Sequence, residues 1–499
     1  MPTSHCTYSN FMLNVAEVLD RSAEMWPDKT FIIFDGAEIN YADFREKVLG
    51  WSSYLKSKGI KQGDIIAVFS KNRPEMLELW MAACRLGAVY SPYNFNLKPD
   101  DIRALIGDSR PALLFSDVHL DNIGTELLEF DNIRIEGRYD YLCETAADDL
   151  ATILYTSGTE AKPKGVMNTH LNWYAALLSS VHDLEWGHSD TFLLSIPVYH
   201  VAGLYTFLGF MNVGATIVLE KMPNPSEIVE LIKRHGVTYL IFPPTLYIGL
   251  SQFLREPLST VRNCISFGAF ISASQFDAVS KIFPGVRWRN YYGMTETTPM
   301  GTTLRPEDFN ARKESIGRQH INISVRIVGD DGKEAAAGET GEILMRGPTV
   351  AKGYFNNEES TRKTFVEGWV HTGDLATKDS EGFLYFVDRK KDIIRTGGEN
   401  VSSVEVEREI LHNKSVAEAS VVGLPHPYWL EAVTAFVTPK KDQTPVASEI
   451  LEQLRQSMAG YKVPKRVIVV DTLPHNASGK ILKKELREKY KDMYLKGEQ

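Results

Sequence analysis

Thr152-Ile153-Leu154-Tyr155 runs directly into Thr156-Ser157-Gly158-Thr159-Glu160-Ala161-Lys162-Pro163-Lys164-Gly165, and a helical pattern starts near Leu171. A strand, then small hydroxylated residues and glycine, then a helix, is an arrangement of α/β proteins. It lets backbone N–H groups and hydroxyls wrap an anion. Lys162 and Lys164 add positive charge to the same loop. The run is not a GxxxxGK[ST] loop, because neither GKS nor GKT occurs in the chain. Taken alone, it reads equally well as a polar surface turn.

Working outward, helical and strand patterns alternate. Phe44, Val48, Trp51 and Leu55 recur at steps of three and four, which predicts a helix over Asp43 to Lys58. Ile65 to Phe69 reads as a buried strand, Met76 to Leu86 as a helix, and Gly87 as the turn into another strand. Pro225 to His235 repeats the helix, and Gly236 stops it before the strand Thr238 to Phe242. This alternation predicts parallel sheets covered on both faces. Near residue 325 the pattern becomes strand, turn, strand, as in Val325 to Val328, Gly329-Asp330-Asp331-Gly332 and Gly341 to Arg346, which predicts a small antiparallel barrel. A charged break, Asp388-Arg389-Lys390-Lys391-Asp392, precedes a compact α+β module. The expected fold is therefore α/β. A large N-terminal domain, 1–390, carries parallel αβαβα sheets and a β subdomain at about 320–387. A smaller mobile α+β domain occupies 391–499.

The 499 residues carry 55 Lys plus Arg against 64 Asp plus Glu, a net charge of -9, which argues against nucleic acid held by bulk charge. The four cysteines lie at least 59 residues apart, so they form no zinc spacing and read as free thiols of a reducing compartment. Met1 to Asn14 contains no Lys or Arg and no sustained apolar run, so no targeting peptide is expected and the location reads as cytoplasmic. Val201 to Leu219 is free of charge over 19 residues, yet its glycines and β-branched end favour a buried helix and strand over a membrane span.

Three further segments carry chemistry. Asn290-Tyr291-Tyr292-Gly293-Met294-Thr295-Glu296-Thr297 groups aromatics, glycine, hydroxyls and a carboxylate, suited to a base, a phosphate oxygen and Mg²⁺. His371-Thr372-Gly373-Asp374-Leu375, followed by Asp388-Arg389, offers a carboxylate for ribose hydroxyls and an arginine beside it. Pro474-His475-Asn476-Ala477-Ser478-Gly479-Lys480 sets a lysine in a glycine-containing loop before a final helix.

Together and in this order, the four segments resemble the adenylate-forming superfamily of acyl-CoA synthetases, luciferases and adenylation domains. Gly341-Glu342-Ile343, Gly347-Pro348, Gly353-Tyr354 and Gly397-Gly398-Glu399-Asn400-Val401 fit the same pattern. The resemblance implies that Thr156, Ser157, Gly158, Thr159 and Lys164 hold the ATP phosphates. Tyr292 would stack on adenine beside Gly293, with Gly268 and Ala269 along the nucleotide. Thr295 would contact the α-phosphate and Glu296 would bind Mg²⁺. Asp374 and Arg389 would hold the ribose, and His200 would sit near the activated carboxylate. Lys480 would cancel the repulsion between carboxylate and α-phosphate. Lys391 would be the hinge about which the small domain turns. That turn would bring Arg395, Gly397, Gly398 and Glu399 to CoA, with the glycines letting backbone approach pantetheine. The sequence departs from the family at Glu160-Ala161, where Thr-Gly is commonest. Like charges about 4 Å apart at an effective dielectric near 20 repel by about 4 kcal/mol, so Glu160 must point away or be neutralised by Lys162 or Lys164.

The implied activity is carboxylic acid–CoA ligation through acyl-AMP, using ATP, Mg²⁺ and CoA, with no nucleic acid, no transmembrane segment and a possible homodimer. The alternative is a free-standing enzyme that loads a carrier protein. Tyr205, Phe207, Phe210, Phe242, Tyr247 and Met300 fall in segments that line the family's acyl tunnel, which implies a fatty or aromatic acid.

Overall fold

The structure is a computed structural model that describes residues 12–121, 123–156, 163–254, 256–268, 273–475 and 481–495. Two large sheets stack around a shared layer of helices. The first has the strand order Glu126–Glu129, Leu113–Ser116, Ile65–Phe69, Val89–Tyr93, Leu150–Thr156, Lys164–Thr169, parallel except for the last pair. The second has nine strands. Its centre, Thr216–Leu219, Thr191–Leu194, Tyr239–Phe242, Asn263–Phe267 and Arg287–Gly293, is parallel, and antiparallel strands close both edges. Helices Tyr41–Ser57, Pro74–Arg85, His170–His182 and Val201–Asn212 lie between the sheets. There Trp80 packs against Trp173 and Phe207, with ring centroids 5.1 and 5.9 Å apart. Pro225–His235 and Pro244–Phe253 cover the outer face of the second sheet, and Pro99–Ser109 that of the first.

The helix after residue 200 is 12 residues long, which at ~1.5 Å per residue is too short for a bilayer. Among the described residues no helix is long and apolar enough to cross a membrane.

The segment after the opening loop differs from the expectation. Lys164–Thr169 is a strand paired antiparallel with Leu150–Thr156, from Thr156 opposite Lys164 to Leu150 opposite Thr169, and only then does helix His170–His182 begin. Its pattern explains this: Val166, Asn168 and Thr169 are buried, and Thr169 caps the helix by accepting from the Asn172 N–H at 3.2 Å. The strand's outer edge is itself covered. Gly353 O accepts from Met167 N–H at 3.0 Å, Met167 O from Lys352 N–H at 2.9 Å, and Gly165 O from Phe355 N–H at 2.7 Å.

Strands Ser324–Val328, Thr340–Arg346, Phe365–Val366, Trp369–Lys378 and Leu384–Arg389 form the small antiparallel unit. Beyond it a separate C-terminal domain has the strand order Glu399–Val401, Ile394–Thr396, Leu430–Pro439, Val416–His426, with Arg466–Val469 parallel to Leu430–Pro439. Ser403–Ile410 and Ala447–Ser457 pack on one face, and Lys483–Tyr490 on the other.

Candidate active site

A cleft of about 1710 Å³ opens where the parallel strands of the second sheet end, and is walled on its far side by the antiparallel unit and the C-terminal domain. Ligands of open α/β sheets bind at such carboxyl ends.

One wall is set by strand register. Asp374 pairs with Arg389 across neighbouring strands, and the Arg389 Nε lies 3.3 Å from Asp374 Oδ1. From the second sheet, the Tyr292 hydroxyl donates to Asp374 Oδ2 at 2.8 Å. Gly373 N–H donates to Glu342 Oε1 at 3.0 Å, which holds the turn before Asp374. Gly293 has no room for a side chain, because a Cβ there would lie 1.6 Å from the Pro299 carbonyl oxygen. The chain then makes the short turn Thr295–Thr297, where the Thr295 carbonyl accepts from Asn168 Nδ2 at 3.2 Å.

Glu296 is 8% exposed, and its Oε1 accepts from the Tyr354 hydroxyl at 2.8 Å. Burial pushes its carboxyl above the usual range, and the Tyr354 bond opposes that rise. Lys164 Nζ lies 5.2 Å from the Tyr354 ring centroid, so the strand carrying Thr156's partner reaches the same corner. A lone buried carboxylate in a polar corner, with no cluster of three His, Cys, Asp or Glu among the described residues, suits Mg²⁺ better than a protein-caged metal. Mg²⁺ takes one or two carboxylates and draws its other ligands from phosphate and water.

The cleft continues inward past His200, Gly268, Ser266, Ile241, Phe242, Tyr205 and Trp186. His200 stands at the start of helix Val201–Asn212, and burial pulls its pKa down to about 4, which leaves the ring neutral near pH 7. His200 Nε2, Tyr205 OH and Ser266 Oγ are buried without a partner among the described residues. Of the expected acyl-tunnel residues, Tyr205 and Phe242 line this cavity. The other four belong to the core. Phe207 packs on Trp80 and Phe31, and Phe210 stacks on Trp186 and Phe192. The Tyr247 hydroxyl donates to Ile265 O at 3.0 Å, and Met300 Sδ accepts from Tyr291 OH at 3.8 Å. Helical spacing cannot tell which face of a helix with both faces apolar meets the cavity.

From the C-terminal domain, His475 and Ile481, which bridge one another, also line the cleft. Their positions flank residues 476–480 on both sides. Lys391, Glu407, Arg408 and Lys483 line it as well. Arg395, Gly397, Gly398 and Glu399 do not. They belong to the edge hairpin Ile394–Thr396/Glu399–Val401, whose two-residue turn is Gly397-Gly398, with φ of 60° and 90°. Two successive positive φ values match the tight turn that the twist of paired strands favours, so the glycines already have a reason in the hairpin. Gly397 N–H donates to Trp429 O at 2.9 Å and Arg395 N–H to Glu431 Oε2 at 2.7 Å. Ser157, Gly158, Thr159, Ala269 and Lys480 lie outside the described residues. Tyr354 and Glu342, which hold Glu296 and the turn before Asp374, carry no role in the sequence reading. Their signals were the pairs Gly353-Tyr354 and Gly341-Glu342.

A family model for AMP-binding enzymes matches residues 19–355, and one for their C-terminal domain matches residues 405–480. The chain belongs to the AMP-binding enzyme family. Within that family, an indoleacetate–CoA ligase of Aromatoleum aromaticum is 31% identical over 503 residues, covering 95% of this chain and 98% of that one. A feruloyl-CoA synthase of Amycolatopsis sp. is 32% identical over 482 residues, covering 94% and 98%. The o-succinylbenzoate CoA synthetase of Bacillus subtilis, solved with its acyl-adenylate intermediate, has a TM-score of 0.87 at 30% identity, covering 94% of this chain and 97% of that one.

Proposed function

We propose that this AMP-binding enzyme is an AMP-forming ligase that joins an aryl or arylalkyl carboxylic acid to CoA through acyl-AMP. The observation that carries the reading is one continuous cleft. It passes from the Tyr292, Asp374 and Arg389 wall and buried Glu296, past neutral His200, into a cavity walled by Trp186, Tyr205, Ile241 and Phe242. The apolar, aromatic lining suits a flat ring, and relatives that act on indoleacetate and ferulate support the same class.

In this reading the acid lies along helix Val201–Asn212 with its carboxylate toward His200. The five steps from His200 to Tyr205 span about 7.5 Å at ~1.5 Å per residue, room for one ring and a short spacer. Tyr292 and Gly268 bracket the base, Asp374 exchanges its tyrosine partner for ribose hydroxyls, and Thr156, Ser157, Gly158, Thr159 and Lys164 hold phosphate oxygens. Glu296 would hold magnesium, whose charge when bound would offset that of the phosphates. A carboxylate oxygen attacks the α-phosphorus and pyrophosphate leaves, with Lys480 between the two anions. The CoA thiolate then attacks the acyl carbonyl and AMP leaves. That step uses a second placement of the C-terminal domain, in which the turn about Lys391 carries Arg395, Gly397, Gly398 and Glu399 to the acceptor. A cytoplasmic location and a homodimer belong to the same proposal, read by fractionation and by light scattering.

A panel of indole-, phenyl- and alkyl-carboxylic acids with ATP and CoA, read by mass spectrometry of the thioester, tests the reading. Aryl and arylalkyl thioesters are expected to dominate. Turnover only of straight-chain alkyl acids overturns the substrate class, and AMP release that ignores CoA overturns the acceptor.

A further inference from the structure

Asp388 and Asp374 stand on neighbouring strands, and both are buried, at 1% and 6% exposure. Their partners differ in kind. Asp388 Oδ1 accepts from the Arg389 N–H at 2.6 Å. Its Oδ2 accepts from Ser403 N–H at 2.6 Å, Ser403 Oγ at 2.7 Å, Ser402 Oγ at 3.3 Å and Val404 N–H at 3.3 Å. Both oxygens are thus taken, and neither is left for a nucleotide hydroxyl. The four donors to Oδ2 come from the N-cap Ser402 and the first turn of helix Ser403–Ile410 in the C-terminal domain, whereas Asp388 lies near the end of Leu384–Arg389 in the antiparallel unit. A carboxylate at a helix N-terminus gains from the unpaired N–H groups and the helix dipole together.

The clasp continues on the far side of Ser403. Its Oγ also accepts from Lys483 Nζ at 2.5 Å, and Lys483 pairs with Glu407 at 2.8 Å. One turn on, Arg487 NH2 pairs with Asp392 Oδ1 at 2.6 Å. Lys483 opens the last helix two residues after Ile481, which lines the cleft. A chain of polar contacts therefore runs from Asp388 through Ser403 to the base of the segment that ends at Lys480.

We infer that Asp388 is a positioning residue for acyl-AMP formation: it fixes the C-terminal domain over the nucleotide cleft through Ser403 and Lys483, and touches no substrate itself. The inference rests on the two half-reactions of the proposed function. Thioester formation, with the C-terminal domain placed differently, has no use for the clasp.

The test measures the half-reactions separately in the full chain, as hydroxylamine-trapped acyl-AMP and as consumption of supplied acyl-AMP by CoA. Losing a charged acceptor of this kind is expected to slow trapping by about tenfold to a hundredfold in Asp388→Ala. Ser403→Ala keeps its backbone N–H and is expected to lose about threefold to tenfold. The double variant should be within about twofold of Asp388→Ala, because both changes break one chain of contacts. Consumption of supplied acyl-AMP should stay within about twofold of wild type in all three. Normal trapping in Asp388→Ala overturns the inference, as does a parallel fall of both half-reactions in folded protein. If Asp388→Ala does not fold, Ser403→Ala carries the same two outcomes. A wild-type chain that traps no acyl-AMP from any acid sinks the functional reading itself.

Discussion

The wall around Asp374 and the turn at Gly397-Gly398 lie 23 residues apart in sequence, and both matched the family pattern at sequence level. The structure treats them differently. Tyr292, Asp374 and Arg389 converge because two ladders fix their register, and all three face the cleft. The glycine pair closes an edge hairpin against Trp429, away from that cleft. Residues locked by strand pairing serve one geometry, and that geometry is visible in a single arrangement. Residues at the tip of a hairpin on a separate domain are held here by that domain's own groups, the Trp429 carbonyl and Glu431.

The largest expected effect belongs to the first half-reaction of the proposed function. With Lys480 between the two anions as proposed, Lys480→Ala removes one of two opposite charges, and a pair about 4 Å apart is worth about 4 kcal/mol at an effective dielectric near 20, hence up to about a thousandfold in rate. With solvent entering the gap, at least about a hundredfold loss of acyl-AMP formation is expected. Supplied acyl-AMP should still react with CoA at near wild-type speed, and a variant impaired equally in both steps would break the comparison at this end.

Next comes Glu296→Gln, which keeps shape and removes charge. Trapped acyl-AMP should fall by about tenfold to a hundredfold, and the Mg²⁺ concentration for half-maximal rate should rise. An unchanged Mg²⁺ dependence would move the metal elsewhere. At the turn, Gly398→Leu imposes a backbone cost of about 1–2 kcal/mol where φ is 90°. If the loop also meets CoA, thioester formation should drop by about tenfold or more while acyl-AMP forms within about twofold of wild type. If both steps fall together and Gly398→Asn restores both, the glycines serve only the hairpin.

The smallest effect concerns stability. Burial holds His170, His200 and His320 at about 4, below the ordinary 6.5. Between those values the unfolded chain binds their protons and the folded chain does not, so stability falls as pH drops through the window. Burial holds Glu78 and Glu220 at about 7, above the ordinary 4.5, so they act in the opposite sense. Burial also raises the Glu296 and Glu407 carboxyls, which side with Glu78 and Glu220. The opposed groups offset one another between pH 4.5 and 6.5, so urea midpoints should change far less across that range than three histidines alone would give, about 4 kcal/mol per pH unit. A full three-proton slope would mean that the buried carboxyls titrate normally in the folded chain.

The alternation of elements was legible because each is amphipathic at its own period: Phe44, Val48, Trp51 and Leu55 all face the core of Tyr41–Ser57. Asp374 and Arg389 are legible from the motif His371 to Leu375 and the Asp388-Arg389 that follows it, and strand register then sets them side by side. Lys164–Thr169 is hidden in the sequence because a six-residue strand ending in Asn168 and Thr169 reads as the polar approach to a helix, and pairing with a strand already passed leaves no local mark. Phe207 and Phe210 were placed in the tunnel because a helix sandwiched between sheets is apolar on every side. Tyr354 acts through one hydroxyl on Glu296, 58 residues away, a distance across which a single sequence carries no pairing signal.

The short strand Lys164–Thr169 has one more consequence. It is the last strand of its sheet, and a bare last strand exposes a row of N–H and C=O groups able to recruit a strand from a second chain. Residues 352–355 occupy those groups at Gly165 and Met167. The stretch that seals this border also supplies Tyr354 to Glu296, so a substitution that frees it should show itself twice, as a loosened Glu296 carboxylate and as a tendency of the protein to aggregate.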